Sequence, residues 1–150
     1  MKVLKKNKRA FLDYDIKERF IAGIVLQWFE VKSIKTGNID MRNSLAYIRN
    51  NEVWLGNLNI PMYSKTNPDM FPDYQSKRTR KLLMKKREIG RMAERTKKTW
   101  LVLIALATWI SNGKIKIELG LWKLRKKIEK KQIKKEKDIL RDAKREMKNY

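Results

Sequence analysis

The 150-residue chain contains no cysteine and no histidine. Without cysteine there can be no disulfide, no thiolate nucleophile and no cysteine-ligated zinc or iron–sulfur site. Without histidine the most common metal ligand and general base is missing, and a Ser-His-Asp triad is excluded. The six glycines are scattered and form neither a phosphate-cradling loop nor a dinucleotide fingerprint. We therefore expect a protein that is not an enzyme and that uses no cofactor and no metal.

Long apolar runs are also missing. The most apolar run, 100–110, has eleven residues, whereas a helix needs about 20 apolar residues to cross a bilayer. The basic residues 1–9 are not followed by an apolar stretch, so no export signal is expected. We therefore expect a cytoplasmic protein without membrane contact, and we interpret 100–110 as a buried strand.

Positive charge, in contrast, is abundant and clustered. The chain has 38 Lys and Arg against 16 Asp and Glu, a net charge of +22. This excess lies in an N-terminal island (1–9, +5), a central island (77–98, +9) and a C-terminal island (123–150, +8), and the rest of the chain is neutral. A neutral body with three basic regions indicates a folded core with cationic surfaces, and nucleic acid or an anionic membrane surface is the default class of partner.

Two turns predict β-hairpins. Asn50-Asn51 and Asn112-Gly113 are residue pairs that tolerate positive φ, as tight hairpin turns require. The strands that they join are 39–49 with 52–60, and 100–110 with 114–121. In 114–121, Ile115, Ile117 and Leu119 alternate onto one face, which is typical of a half-buried strand.

The remaining segments are assigned less directly. All three prolines lie in 61–76, which predicts a loop. Apolar residues at 3–4 spacing predict one amphipathic helix over 77–98, with Thr79 as its N-cap. A short strand is expected at 11–16, and 20–26 is either a buried strand or the start of a helix. Residues 27–35 continue that run, and their pattern leaves strand and helix open.

Antiparallel strands with one interposed helix predict a mainly β protein with helices, built as a small closed OB-type antiparallel barrel. We divide the chain into a flexible basic N-terminus (1–9), an OB-type RNA-binding domain (10–122) and a basic C-terminal tail (123–150). Most aromatic residues should fill the core, and Trp54, Trp100 and Trp109 lie in its most apolar runs. The others could stack on bases; they include Phe11, Tyr14, Trp28 and Phe29.

Three groups of residues could carry chemistry. The basic segment 77–87 can contact phosphates, because Arg offers a planar fork and Lys a point charge. Glu30 and Lys32 would share a face if they lay on a strand. Asp69 and Asp73 are four residues apart in the predicted loop, which is weak evidence for a magnesium site.

The order of several short motifs resembles the SmpB family of SsrA-binding proteins. The chain has NKRA at 7–10, AGIVLQ at 22–27, EVKS at 30–33, RTRKLL at 78–83, KREI at 86–89, NG at 112–113 and GL at 120–121. The resemblance implies an OB-type barrel and a tail that is disordered in isolation and helical when bound. It also implies an adaptor that binds the tRNA-like domain of transfer-messenger RNA (tmRNA) and delivers it to stalled ribosomes for trans-translation.

The resemblance further implies partners and site residues. The partners are tmRNA, the ribosome at its small-subunit RNA, decoding centre and empty mRNA channel, and elongation factor Tu through the charged RNA; the protein itself would be a monomer. The implied RNA-binding residues are Asn7, Lys8, Arg9, Tyr14, Glu30, Lys32, Arg78, Arg80, Lys81, Leu83 and Lys85. The implied ribosome-binding residues of the tail are Lys126, Lys127, Lys130, Lys131, Lys134, Lys135, Arg141, Lys144 and Arg145.

The chain also departs from the family pattern. Ile21 replaces a usual Glu, Trp28 and Trp100 replace Gly, Ala105 replaces Pro, and Leu124 replaces Gly. On charge alone, a structural ribosomal protein with a basic barrel is the alternative function. An enzyme acting on RNA is a third hypothesis, which the lack of His and Cys disfavours.

Overall fold

The computed structural model describes residues 1–98, 102–124 and 127–148. Strands and short helices alternate up to the last strand, and one long helix follows it. The elements are β1 (Lys2–Lys6), α1 (Lys8–Asp13), β2 (Tyr14–Ile24), α2 (Trp28–Lys35), β3 (Leu45–Arg49), β4 (Glu52–Gly56), a 3₁₀ turn (Pro68–Met70), β5 (Arg80–Leu83), α3 (Lys86–Lys98), β6 (Val102–Ser111), β7 (Lys114–Leu124) and α4 (Lys127–Lys148).

The strands form a closed antiparallel barrel, which confirms the predicted fold class. The order around the barrel is β6-β3-β4-β5-β2-β7, and pairing of β7 with β6 closes it. The remaining strand, β1, pairs with β6 from Ala107 to Ile110, whereas β3 pairs with β6 at Leu103. Closure leaves the barrel strands without open edges, so the wall itself is a stable platform for attached elements.

The barrel interior is filled by alternate residues of the strands. Val53, Leu55, Ile117 and Leu119 are fully buried there, as the strict alternation of 114–121 predicted. Ile34 of α2 and Met92 of α3 join the same core. A smaller cluster on the outside of β6 includes Leu106 and is covered by α1, so β6 is buried on both faces.

Both predicted hairpin turns are confirmed. Asn50 and Asn51 have φ of 52° and 60°, and Asn112 and Gly113 have φ of 50° and 75°. These left-handed conformations suit the two-residue turns between strands of right-handed twist. The strand predicted over 39–49 is shorter, because only Leu45–Arg49 pairs as a strand and Asp40 forms an isolated bridge with Asn59.

The N-terminal assignments were wrong. Residues 2–6, expected to be flexible, form β1 on the edge of β6. The segment expected to be a strand at 11–16 is divided between α1 and β2, because the Asn7 side chain accepts from the Ala10 N–H and starts a helix. Residues 20–26 enter β2, which ends at Ile24.

Residues 28–35, whose pattern left the choice open, are the helix α2. The Gln27 backbone N–H donates to Glu30 Oε1 at 2.8 Å, one half of a capping box. The helix stops at Thr36-Gly37, where Gly37 has φ of 85°. Glu30 and Lys32 therefore do not share a face, contrary to the expectation for a strand.

The single helix predicted over 77–98 is two elements. Arg80 and Leu82 are buried and Lys81 is not, an alternation that belongs to the strand β5 between β4 and β2. The helix α3 begins only at Lys86, so Thr79 caps nothing. A period of 3.6 was a poor guide here because the barrel required a strand at this position.

The C-terminal boundary also differs from the prediction. Strand β7 extends to Leu124, and α4 follows as a helix of 22 residues. The helical form agrees with the absence of Gly and Pro from this segment, and disorder of the tail in the free chain stays a prediction. None of the helices in the described ranges is long and apolar enough to span a membrane.

Candidate nucleic-acid interface

A buried ion network lies between α2, the 57–78 loop and β5. Glu30 and Arg80 both have 0% exposed side chains, and Arg80 Nε donates to Glu30 Oε2 at 2.7 Å. Arg78, about one-third exposed, donates to Glu30 Oε1. A carboxylate that accepts from two guanidinium groups and a backbone N–H is fully compensated for its burial.

Every nitrogen of the Arg80 guanidinium has an acceptor. In addition to Glu30, Nη1 donates to the carbonyls of Leu58 (2.6 Å) and Arg78 (3.0 Å). Nη2 donates to the Ser76 carbonyl at 3.0 Å and to the Tyr74 hydroxyl at 3.1 Å. Arg80 therefore fixes the loop that follows β4 to the barrel, and its role is to position other groups.

The network also shifts proton affinities. Burial raises the pKa of Glu30, but hydrogen bonds from Arg78 and from the Gln27 N–H, with the charge of Arg80, outweigh it and hold that pKa below its ordinary value. Burial and the nearby Glu30 charge raise the pKa of Tyr74 to about 12. At neutral pH the carboxylate is ionised, and the Tyr74 hydroxyl donates to the Ile60 carbonyl at 2.6 Å.

Two of the predicted RNA-binding residues are therefore corrected. Glu30 and Arg80 are inaccessible to any ligand, because each is enclosed by protein acceptors and donors. Through Glu30 the network holds Arg78 and the start of α2 in place. The EVKS and RTRKLL motifs contact each other through the buried ion pair of Glu30 and Arg80.

The exposed side of α2 combines a cation with aromatic rings. Trp28 is 50% exposed, and Lys32 Nζ lies 5.4 Å from the Trp28 ring centroid and 5.7 Å from that of Tyr63. Trp28 also meets the Phe71 ring edge-on at 6.3 Å. Phe29, in contrast, is buried against Phe71 and Tyr74, so of these two aromatics Trp28 is the one available for stacking.

The NKRA motif at residues 7–10 also contains both buried and exposed residues. Asn7 is buried, and its Nδ2 donates to the carbonyls of Met41 (3.2 Å) and Ala105 (3.0 Å). This contradicts the prediction that Asn7 contacts RNA, because its donors are used to anchor α1 on the barrel. Lys8 and Arg9, which follow it, are exposed. Tyr14 is half-buried and stacks on Trp122 with centroids 3.7 Å apart.

A basic groove connects the N-terminal island to the end of α2. The groove has a volume of about 770 Å³ and is lined by residues 3–9 and 39–42. Lys5 Nζ donates to the Gly37 carbonyl at 3.0 Å, which places β1 beside the C-terminus of α2. In the groove the Arg42 guanidinium donates hydrogen bonds to the Asp40 carboxylate. These bonds lower the pKa of Asp40 to about 2.

The central island presents its remaining cations on the outside. Lys81 points away from the core and lies 3.2 Å from Glu52. Leu83 is 54% exposed, and Lys85 is exposed just before α3. On α3, Arg91 pairs with Glu18 of β2 at 2.6 Å, which ties the helix to the wall while Met92 enters the core.

Where its side chains are described, the C-terminal island is mostly exposed to solvent. The exposed cations among its predicted residues are Lys131, Lys134, Lys135, Arg141, Lys144 and Arg145. Lys126 lies outside the described residues, as do the side chains of Lys127 and Lys130. Arg141 pairs with Asp138 one turn away, and α4 lies against α1.

Other residues of the interface were missed from the sequence. Tyr63, Tyr74 and Arg42 come from loops, where no periodicity marks a functional residue. Trp54 and Trp109, predicted for the core, are only half-buried; Trp109 Nε1 donates to Glu118 at 3.0 Å. Trp100 lies outside the described residues. Within the described part of the chain no group of three or more acidic residues is placed to hold a metal.

Comparison with known proteins gives a consistent result. A family model described as SmpB protein matches residues 4–149. An SsrA-binding protein of Coprothermobacter proteolyticus is 43% identical over 97% of this chain and 97% of its own length. One from Bacillus cereus strain G9842 is 40% identical over 96% of this chain and 91% of its own.

A solved structure agrees with these relatives. It is described as "tmRNA-SmpB: a journey to the center of the bacterial ribosome" and is similar to this chain with a TM-score of 0.68 and 35% identity. The match covers 82% of this chain and 85% of the other. Fold and sequence therefore indicate the same relationship.

Proposed function

The chain belongs to the SmpB family, and on that premise we propose that it is a non-enzymatic RNA-binding adaptor of trans-translation. It binds the tRNA-like domain of tmRNA and delivers that RNA to stalled ribosomes. The observation that carries this proposal is the match to SsrA-binding proteins over nearly the whole chain. The distribution of charge supports it, since the net charge of +22 comes from three basic islands on an otherwise neutral chain.

In this proposal the tmRNA surface is formed by α1, the exposed side of α2 and the outer side of β5 with the turn after it. Lys8, Arg9, Lys32, Arg78, Lys81 and Lys85 contact RNA phosphates, because each carries an accessible cationic group. Leu83 and Tyr14 add apolar contact. Asn7, Glu30 and Arg80 keep the surface in place from within.

The tail has a separate task. Because α4 is exposed and strongly basic, we propose that it enters the empty mRNA channel of the small subunit and reaches the decoding centre. Ribosomal RNA there offers phosphates to Lys131, Lys134, Lys135, Arg141, Lys144 and Arg145. Lys126, Lys127 and Lys130 are proposed to join them.

The remaining partners follow from this role. Elongation factor Tu would accompany the charged RNA, the protein would act as a monomer in the cytoplasm, and no membrane would be involved. Family membership favours the adaptor over a structural ribosomal protein, the alternative based on charge alone.

The test is to identify the RNA that co-purifies with the chain at moderate salt. We expect one dominant species with a tRNA-like end and an internal reading frame, in less than one copy per ribosome. A stoichiometric complement of ribosomal RNA that survives a high-salt wash would instead make the protein a ribosomal component and contradict the proposal.

A further inference from the structure

A second aromatic and basic surface lies on the barrel wall formed by β3, β4 and β5. Tyr47 of β3 pairs in register with Trp54 of β4, and Trp54 pairs with Lys81 of β5. These three residues alternate with the buried Ala46, Val53, Leu55 and Leu82, so they point outward. Two aromatic side chains and a lysine therefore form one row across three strands.

The row borders a groove at the Asn50-Asn51 turn. The groove has a volume of about 400 Å³ and is lined by Tyr47, Arg49, Asn50, Glu52, Trp54 and Thr79. Its size falls in the range of roughly 300–1,000 Å³ that small ligands occupy. Tyr47 is 45% exposed, so a planar ligand can reach the ring.

We propose that this groove binds one unpaired nucleobase of an RNA, stacked on Tyr47 and Trp54. Exposed aromatic residues beside cations on a barrel wall are typical of single-strand binding, and a net charge of +22 favours a polyanion over a protein partner. The proposal adds a site to the RNA-binding function proposed above and rests on it only in taking RNA as the partner.

The polar lining indicates that the base enters the groove and the phosphate does not. Glu52 would repel a phosphate, but its carboxylate can accept from an amino group of a base. Its Oε1 accepts from Lys81 Nζ at 3.2 Å, which orients the carboxylate. Asn50 and Thr79 add groups for the base edge, and the exposed Arg49 is left for the adjoining phosphate.

The test uses the purified full chain and a fluorescein-labelled single-stranded RNA octamer of A and C, followed by anisotropy over a series of salt concentrations. We expect Trp54→Leu and Tyr47→Leu each to lower the affinity about tenfold. The slope of affinity against salt should stay the same, because stacking releases no counterions. Trp54→Phe should largely restore binding.

The matched control is Leu45→Ala. Leu45 lies on β3 two residues before Tyr47, is 43% exposed and does not line the groove, so its variant should bind as the wild type does. Unchanged affinity in both aromatic variants would overturn the proposal. An equal loss of affinity in Leu45→Ala would also overturn it, since any change on the outer face of these strands would then weaken binding.

A second measurement does not depend on any variant. Ultraviolet cross-linking of the wild-type chain to the octamer should give RNA-conjugated peptides that contain Tyr47 or Trp54, and conjugates found only elsewhere would overturn the proposal. Parallel titrations with the tmRNA tRNA-like domain separate the two functions. If that domain binds no better than an unrelated tRNA, the tmRNA proposal is wrong. The groove proposal is tested separately, by the binding of the octamer.

Discussion

The central and C-terminal islands have nearly the same net charge, +9 and +8, but the fold uses them differently. In the central island Arg80 is buried, Arg78 is partly buried, and both are ion-paired with Glu30. In the C-terminal island all the cations whose side chains are described are exposed, Lys123 at the end of β7 and the others along α4. A similar net charge therefore has two structural outcomes: two arginines of the central island are paired with Glu30 inside the fold, whereas the described cations of the C-terminal island face solvent.

The largest effect should come from removing the exposed island. Deletion of 127–150 keeps β7 intact and removes only α4, so we expect tmRNA affinity within about twofold of wild type, because the barrel surface is unchanged. Rescue of stalled ribosomes should be abolished. A translation assay on a message without a stop codon measures this, and normal rescue by the truncated chain would show that the two islands do not divide the work.

Replacing the buried arginine of the central island should lower the stability of the fold. Arg80→Met leaves Glu30 ionised and partly unpaired in the core, which should cost about 3–5 kcal/mol of unfolding free energy. Urea denaturation monitored by tryptophan fluorescence measures the loss. Lys81→Met, one residue along the same strand but exposed, is the control and should change stability by less than about 1 kcal/mol. Equal losses in the two variants would remove the distinction between the inner and outer faces of β5.

The exposed cations of the central island should act on affinity alone. Lys81→Ala with Lys85→Ala should weaken binding of the tRNA-like domain severalfold and reduce its salt slope by about 2, since two phosphate contacts are lost. The melting temperature should remain near that of wild type. A nitrocellulose filter assay at several salt concentrations tests this, and an unchanged slope would mean that this side of β5 does not face the RNA.

The smallest effect is expected at the exposed pair of Asp40 and Arg42. Arg42 lowers the pKa of Asp40 from 3.8 to about 2, so the pair stabilises the fold above pH 4 and loses that contribution as the pH falls towards 2. Because both side chains are exposed, Arg42→Ala should lower the stability at pH 7 only slightly. The difference between variant and wild type should vanish near pH 2 in acid-denaturation curves. If the difference in stability between variant and wild type grew towards low pH, the pKa of Asp40 could not be lowered by Arg42.

Much of the barrel could be predicted from local signals. The asparagine-containing turns at 50–51 and 112–113 and the alternation of Ile115, Ile117 and Leu119 were confirmed because hairpins depend on neighbouring residues. The strand β5 could not be found in this way. Its four residues are embedded in a basic segment with helical spacing, and only the gap between β4 and β2 makes them a strand.

The sequence motifs indicated which residues belong to the candidate site, but not which of them are buried and which are exposed. The motifs around Glu30 and Arg80 were recognised, yet a charged residue in sequence looks the same whether it is buried or exposed. Trp54 was placed in the core because large aromatic residues usually lie there. In β4 the alternation instead buries Val53 and Leu55 and turns Trp54 outward.

The absence of cysteine and histidine, the three basic islands, the hairpin turns and the resemblance to a family could all be read from the amino-acid sequence. Each of these depends on residue identity or on neighbours along the chain. The tertiary structure alone decided which cations are buried, that Glu30 meets Arg80 across 50 residues, and that Tyr47, Trp54 and Lys81 form one row. The physical reason is that burial and pairing are set by barrel closure, which brings together strands that are distant in sequence.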